Sequence, residues 1–165
     1  MAVNNLADVS LVAFDVDGVF TDGRFTLSDD GIESKSFQTQ DGFGIRQLLR
    51  SGINVAVISG RESAAVRKRM AELEVQHVIL GCDDKAAAFD TLTEQLGITP
   101  AEAVFVGDDI PDLPLLSKVG YSIAVANAVS AVREYCDYTT TATGGNGAVR
   151  EVCEHILAAL SEESD

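Results

Sequence analysis

The sequence predicts an α/β fold: a three-layer, doubly wound, mainly parallel sheet with a small β-hairpin and no cap domain. Short apolar runs of strand length alternate with helical segments, the pattern of a parallel sheet covered on both faces. Four consecutive predicted strands end in small or charged residues: Asp15, Ser59, the segment 81–85 and Asp108-Asp109. Ligands of such sheets bind beyond the carboxyl ends of the strands, so these residues are expected to share one edge and one site.

The elements follow in order. Val9 to Asp15 is an apolar run closed by an acid and reads as a buried strand. Arg24 to Ser28 and Glu33 to Phe37 are strand-like pieces around Asp29-Asp30-Gly31, a hairpin signal. Phe43 to Arg50 reads as a helix stopped at Gly52, and Ile53 to Ile58 as a second strand. Glu62 to Leu73 is helical, His77 to Leu80 a third strand, and Asp84 to Leu96 a helix capped by Gly97. Ala103 to Val106 and Ile123 to Val125 are the fourth and fifth strands. Val149, Val152, Cys153, Ile156, Leu157 and Leu160 repeat at three-and-four spacing and form one apolar face of a last helix.

A chain of 165 residues fits a single domain, expected over 1–165. With 46% hydrophobic and 23% charged residues it has the balance of a soluble globular protein. Its longest apolar runs, such as Ile53 to Ile58, fall far short of the roughly 20 residues a membrane-spanning helix needs. The start, MAVNNLADVS, lacks a basic region followed by an apolar run, so no signal peptide is expected. Three cysteines, Cys82, Cys136 and Cys153, are far apart and show no CxxC spacing, which points to reduced thiols in a cytoplasmic protein. A net charge of −14 argues against nucleic acid and anionic membranes as partners. A phosphate ester still fits if a metal ion and a few placed donors offset the local charge.

The chemistry sits in Asp15-Val16-Asp17-Gly18-Val19, Ser59-Gly60-Arg61, Lys85 and Gly107-Asp108-Asp109-Ile110-Pro111-Asp112. Taken alone, each has a plainer reading: an Asx turn, a strand-end cap, a solvated lysine. Together and in this order they resemble the four motifs of the haloacid dehalogenase superfamily, over residues 11 to 155. The resemblance implies a Rossmann-like haloacid dehalogenase fold and a phosphatase. Asp15 would attack phosphorus and form an aspartyl-phosphate. Asp17 would protonate the leaving alkoxide and then deprotonate the attacking water. Ser59 and Lys85 would hold the phosphoryl oxygens. Magnesium would sit on the Asp15 carboxylate, the Asp17 carbonyl and the Asp108 carboxylate, with Asp109 or Asp112 orienting its waters.

Thr21-Asp22-Gly23, Lys35-Ser36-Phe37, Asp41-Gly42-Phe43-Gly44-Ile45 and Gly144 through Val152 add a narrower resemblance, to the 3-deoxy-D-manno-octulosonate 8-phosphate phosphatase family. That family makes an eight-carbon acidic sugar for bacterial lipopolysaccharide, and its members are capless magnesium-dependent homotetramers. Gln40 and Asn146 stand where arginine is frequent in the family. The resemblance implies a sugar-acid phosphate as substrate, with Arg61 as first choice for its carboxylate, Arg150 as second, and Gly60, Asp41 and Gly42 shaping the pocket. The tail from Ser161 is short, so little is expected of it as a cover for a neighbour's site.

Spacing supports a capless enzyme. Asp15 to Ser59 is 44 residues (59 − 15) and Ser59 to Lys85 is 26 (85 − 59), and predicted elements fill both gaps. The hairpin from Arg24 to Phe37 is therefore expected to meet a neighbouring subunit in a homotetramer. A phosphatase of a nine-carbon, sialic-acid-type sugar phosphate would share every catalytic residue, and Arg61 is the position expected to separate the two. A phosphate-receiving signalling domain carries its acidic pair after strand one and its phosphorylated Asp after strand three. The order here differs.

Overall fold

The computed structural model describes residues 6–162. The expectations about a leader and about most of the short tail lie outside these residues. Six strands form one parallel sheet: β1 (Leu11–Phe14), β4 (Asn54–Ile58), β5 (His77–Ile79), β6 (Ala103–Gly107), β7 (Tyr121–Ala124) and β8 (Tyr138–Thr139), in the order β5-β4-β1-β6-β7-β8. β1 and β6 are fully buried because strands covered on both faces must be apolar throughout. In register, Phe14 pairs with Val57 on one side and Val106 on the other. The chain runs outward from β1 through β4 to β5 and then crosses back to β6. The residues just past β1, β4 and β6 thus sit beside the point where strand order reverses.

The helices are α1 (Thr39–Arg50), α2 (Ala64–Glu72), α3 (Lys85–Leu96), α4 (Leu113–Leu116), α5 (Ser130–Tyr135) and α6 (Ala148–Glu162). α1 packs on α6, and Arg69 of α2 reaches the first turn of α1. α3 packs on α4. With this strand order, the general right-handedness of parallel crossovers assigns these two groups to opposite faces of the sheet, the three expected layers. The separate hairpin pairs β2 (Thr26–Leu27) with β3 (Glu33–Ser34), closing at Gly31 with φ 78°. No cap domain is inserted among the described residues.

Three boundaries differ from expectation for local reasons. α1 begins at Thr39, not Phe43, because the Gln38 side chain accepts the Gln40 N–H. Gly42 and Gly44 weaken a helix intrinsically, but here they permit close packing. A Cβ on Gly44 would lie 3.1 Å from Cys153, and one on Gly42 would lie 2.5 Å from the Arg69 guanidinium. α2 begins at Ala64 because Ser63, not a residue before Glu62, caps it through the Val66 N–H. The hairpin strands are two residues each, shorter than predicted.

Candidate active site

Asp15 leaves β1 with its N–H still in the sheet, donating to the Val106 carbonyl at 2.9 Å. The chain then turns sharply at Gly18, φ 85°, where a Cβ would lie 2.0 Å from the Asp108 carboxylate. Glycine is required there on both counts. Thr21 Oγ1 accepts the Gly18 and Gly23 N–H groups and closes the turn. Asn127 ties this loop to the glycine-rich segment: its Nδ2 donates to the Gly18 carbonyl at 3.0 Å, and its Oδ1 accepts the Gly144 N–H at 2.7 Å. A Cβ on Gly144 would fall 1.9 Å from the Gly18 carbonyl oxygen. Gly144→Ala is therefore expected to destabilise the protein by about 3 kcal/mol, because backbone rather than a flexible side chain stands in the way. Denaturant unfolding measures this; an unchanged midpoint would contradict the packing.

Asp15, Asp17, Ser59, Gly60, Arg61, Lys85, Asp108, Asp109 and Asp112 line one cleft of about 340 Å³ at the carboxyl ends of the strands. A larger groove of about 610 Å³ lies at the opposite end, among strand starts such as Ile53 and His77, away from these acids. Lys85, first residue of α3 after the Asp84 cap, reaches Asp15 Oδ1 at 2.9 Å and Asp112 Oδ1 at 2.7 Å. Burial opposes its charge, but Asp15 and then Asp112 outweigh that and hold its pKa above the ordinary lysine value. Ser59 is buried, and its Oγ accepts the Arg61 N–H at 3.3 Å, which leaves the hydroxyl hydrogen free to donate.

One oxygen from each of Asp15, Asp108 and Asp112 lies within 4.8 Å of the others. Burial above all, then the Asp112 charge, lifts the Asp15 carboxyl to about 6 despite Lys85. Burial, then Asp15 and Asp112, push Asp108 up to about 9. Carboxylates so crowded suit a hard divalent cation, which takes oxygen ligands and cancels their repulsion. Asp112, expected to orient waters, is the third carboxylate of this cluster. Its Oδ2 also accepts the Asp108 and Asp109 N–H groups, so it shapes the loop it belongs to. The Asp109 side chain instead caps the turn Ile110–Asp112 through the Ile110 N–H.

Two expected substrate residues stand elsewhere in the chain. Asp41 is 1% exposed, and its Oδ1 accepts the Arg150 N–H in the first turn of α6. A carboxylate at that end complements the helix dipole. Burial lifts its pKa to about 6, and among the described residues its Oδ2 has no hydrogen-bond partner. Gly42 lies under Arg69 rather than at the cleft. Arg150 pairs with Glu154 at 2.6 Å and lies over the Phe43 ring. Arg61 does reach the cleft, but it is engaged: Nε donates to Glu33 Oε1 at 2.6 Å, and the guanidinium lies 4.0 Å from the Phe25 ring centroid. The sequence reading gave no site role to Glu33 or Asn127 and quoted Lys35 only within a family motif. Lys35, on the hairpin, reaches Asp17 Oδ1 at 2.7 Å.

A parallel sheet with this acid-lined edge defines a haloacid dehalogenase-like hydrolase, and residues 81–152 match the profile of that description. Closer relatives narrow the class. The 3-deoxy-D-manno-octulosonate 8-phosphate phosphatase of Escherichia coli K12 is 44% identical over 152 residues, 92% of this chain and 81% of the relative. That of Yersinia pestis is 40% identical over 157 residues, covering 95% and 84%. The chain belongs to the 3-deoxy-D-manno-octulosonate 8-phosphate phosphatase family. The crystal structure of the Moraxella catarrhalis enzyme, in complex with magnesium ion, phosphate ion and a KDO molecule, superposes with a TM-score of 0.93. It is 45% identical and covers 97% of this chain and 92% of that one. A cobalt-bound Haemophilus influenzae relative gives 0.92 at 39% identity, covering 97% and 94%.

Proposed function

We propose that this protein hydrolyses 3-deoxy-D-manno-octulosonate 8-phosphate to the free sugar acid and inorganic phosphate, in the making of a lipopolysaccharide precursor in the cytoplasm. The observation that carries the chemistry is the meeting of Asp15, Asp17, Ser59, Lys85 and Asp108 in one cleft, from four strand ends, with Lys85 bridging Asp15 and Asp112. In the first step an Asp15 carboxylate oxygen bonds to phosphorus, the ester P–O bond breaks, and Asp17 gives its proton to the departing alkoxide. In the second step water attacks phosphorus, its proton goes to Asp17, and the bond to Asp15 breaks. Lys85 and the Ser59 hydroxyl hold phosphoryl oxygens throughout. Magnesium, when bound by Asp15, Asp108, the Asp17 carbonyl and either Asp112 or a water that it orients, offsets the repulsion between carboxylate and phosphate. Family membership supports the substrate, as does the magnesium, phosphate and KDO content of the Moraxella catarrhalis structure.

A phosphate-release screen over eight- and nine-carbon sugar-acid phosphates with magnesium tests this. Preference for the nine-carbon acid would overturn the substrate while leaving the chemistry. Arg61 supplies the carboxylate contact in this reading. Because Glu33 already occupies it, the substrate carboxylate must displace that of Glu33, which limits the gain to about 1–2 kcal/mol. Arg61→Ala is thus expected to lower kcat/KM for the sugar-acid phosphate roughly 5- to 30-fold and to leave a carboxylate-free ester nearly unchanged. Equal losses on both would assign Arg61 to supporting the cleft. The exposed hairpin residues Phe25, Leu27 and Ile32 favour a homotetramer in which the hairpin meets a neighbour. A fully active monomer by light scattering would exclude it. Among the described residues no helix is long and apolar enough to cross a membrane.

A further inference from the structure

Lys35 follows β3 on the return of the hairpin, yet its side chain is only 1% exposed. Its Nζ lies 2.7 Å from Asp17 Oδ1 and 3.7 Å from Glu33 Oε2. Burying an ammonium sacrifices hydration and rotamer freedom, so such a lysine needs a compensating partner. The hairpin does not need it for attachment, because Arg61 already holds Glu33 and Phe25. Asp17 does need a partner. It sits in a loop with its side chain 29% exposed, and among the described residues the recorded hydrogen bond to its carboxylate comes from Lys35.

We propose that Lys35 is a positioning residue for Asp17: it grips Oδ1 and thereby sets which oxygen exchanges the proton and where that oxygen stands. An ammonium has three donors and no acceptor. A proton on Oδ1 would face an N–H, so the proton that Asp17 gives to the leaving oxygen is carried on Oδ2. The ester P–O bond breaks as that proton moves to the alkoxide, and the carboxylate left behind remains held at Oδ1 to take the proton of the attacking water. The hairpin becomes part of the catalytic apparatus of its own chain. The inference rests on the reading of Asp17 as the acid.

The test compares two esters with the magnesium-loaded enzyme in single-turnover, rapid-quench experiments that follow release of the alcohol. The sugar-acid 8-phosphate expels a poor alkoxide that must be protonated, whereas p-nitrophenyl phosphate expels a stable phenolate that need not be. Lys35→Met is expected to slow alcohol release from the sugar ester by about 10-fold or more, as misplacement of a reacting group by roughly an ångström does. KM should stay within about 2-fold, and the p-nitrophenolate burst within about 2-fold of wild type. Lys35→Arg, which keeps a charged donor, is expected to restore most of the loss. Equal slowing of both esters, or slowing of neither, overturns the inference. Should Lys35→Met not accumulate as folded protein, the ratio of the two rates in the milder Lys35→Gln decides in the same way. Asp17→Asn separates the premise from the inference. It should show the same split between esters, more steeply. If it shows none, the reading of Asp17 falls; if it does and the Lys35 variants do not, only the role of Lys35 falls.

Discussion

Asp15→Asn is expected to lower phosphate release by on the order of 10⁴-fold or more while leaving the protein folded. An amide oxygen is too weak a nucleophile to form the acyl-phosphate, and no nearby group replaces it. Lys85 and Asp112 face Asp15 but cannot stand in: the lysine is a cation held at 2.7 Å by Asp112, and Asp112 is spent on Lys85 and two backbone N–H groups. The fold should even gain. Asp15 is 7% exposed, and its burial beside Asp112 makes the ionised form costly, which the raised pKa of about 6 reflects. An asparagine of the same shape removes that charge and leaves Lys85 paired with Asp112. In metal-free solution the variant should therefore melt at or above the wild-type temperature. Turnover near wild type would remove Asp15 from the chemistry. A collapse of the melting temperature would make the loss of activity a folding defect.

The cleft edge was legible because most of its residues follow closely on an apolar run. Asp15 and Ser59 close their strands, Lys85 opens a capped helix, and Asp108 follows Gly107. Placing strands therefore placed the residues that line the cleft. Residues whose position depends on folding back were not legible. Lys35 meets Asp17 across 18 residues of loop and hairpin, and Asn127 meets Gly18 across 109, contacts that no local period encodes. Asp41 carried a motif signature but belongs to the packing of α1 on α6, where its carboxylate meets the Arg150 N–H. Arg61 lines the cleft, but its engagement by Glu33 depends on how the hairpin lies. α4, α5 and β8, of four, six and two residues, are too short to show a period.

Chelation of magnesium is expected to reduce turnover to background, and added magnesium to restore it, because the nucleophile and the phosphate are both anions. Asp108→Asn should raise the magnesium needed for half-activity by on the order of 100-fold, since it takes a charge from a cluster of three carboxylates. Stability should move the other way. The Asp108 pKa is lifted by burial and by Asp15 and Asp112 to about 9, against about 4 in an unfolded chain. A carboxyl with a raised folded-state pKa binds more protons folded than unfolded. Its contribution therefore favours the fold below about pH 4 and turns against it as pH climbs toward 9. In chelator, Asp108→Asn should melt higher than wild type, by a margin that widens between pH 5 and pH 8 in this window. Saturating magnesium should reverse the order, because it stabilises the wild-type cluster and has lost a charged ligand in the variant. Thermal melts at several pH values, with chelator and with magnesium, read all of this. Full turnover in excess chelator would dismiss the metal. A variant that melts lower than wild type in chelator at pH 8 would show that Asp108 supports the fold rather than an ion.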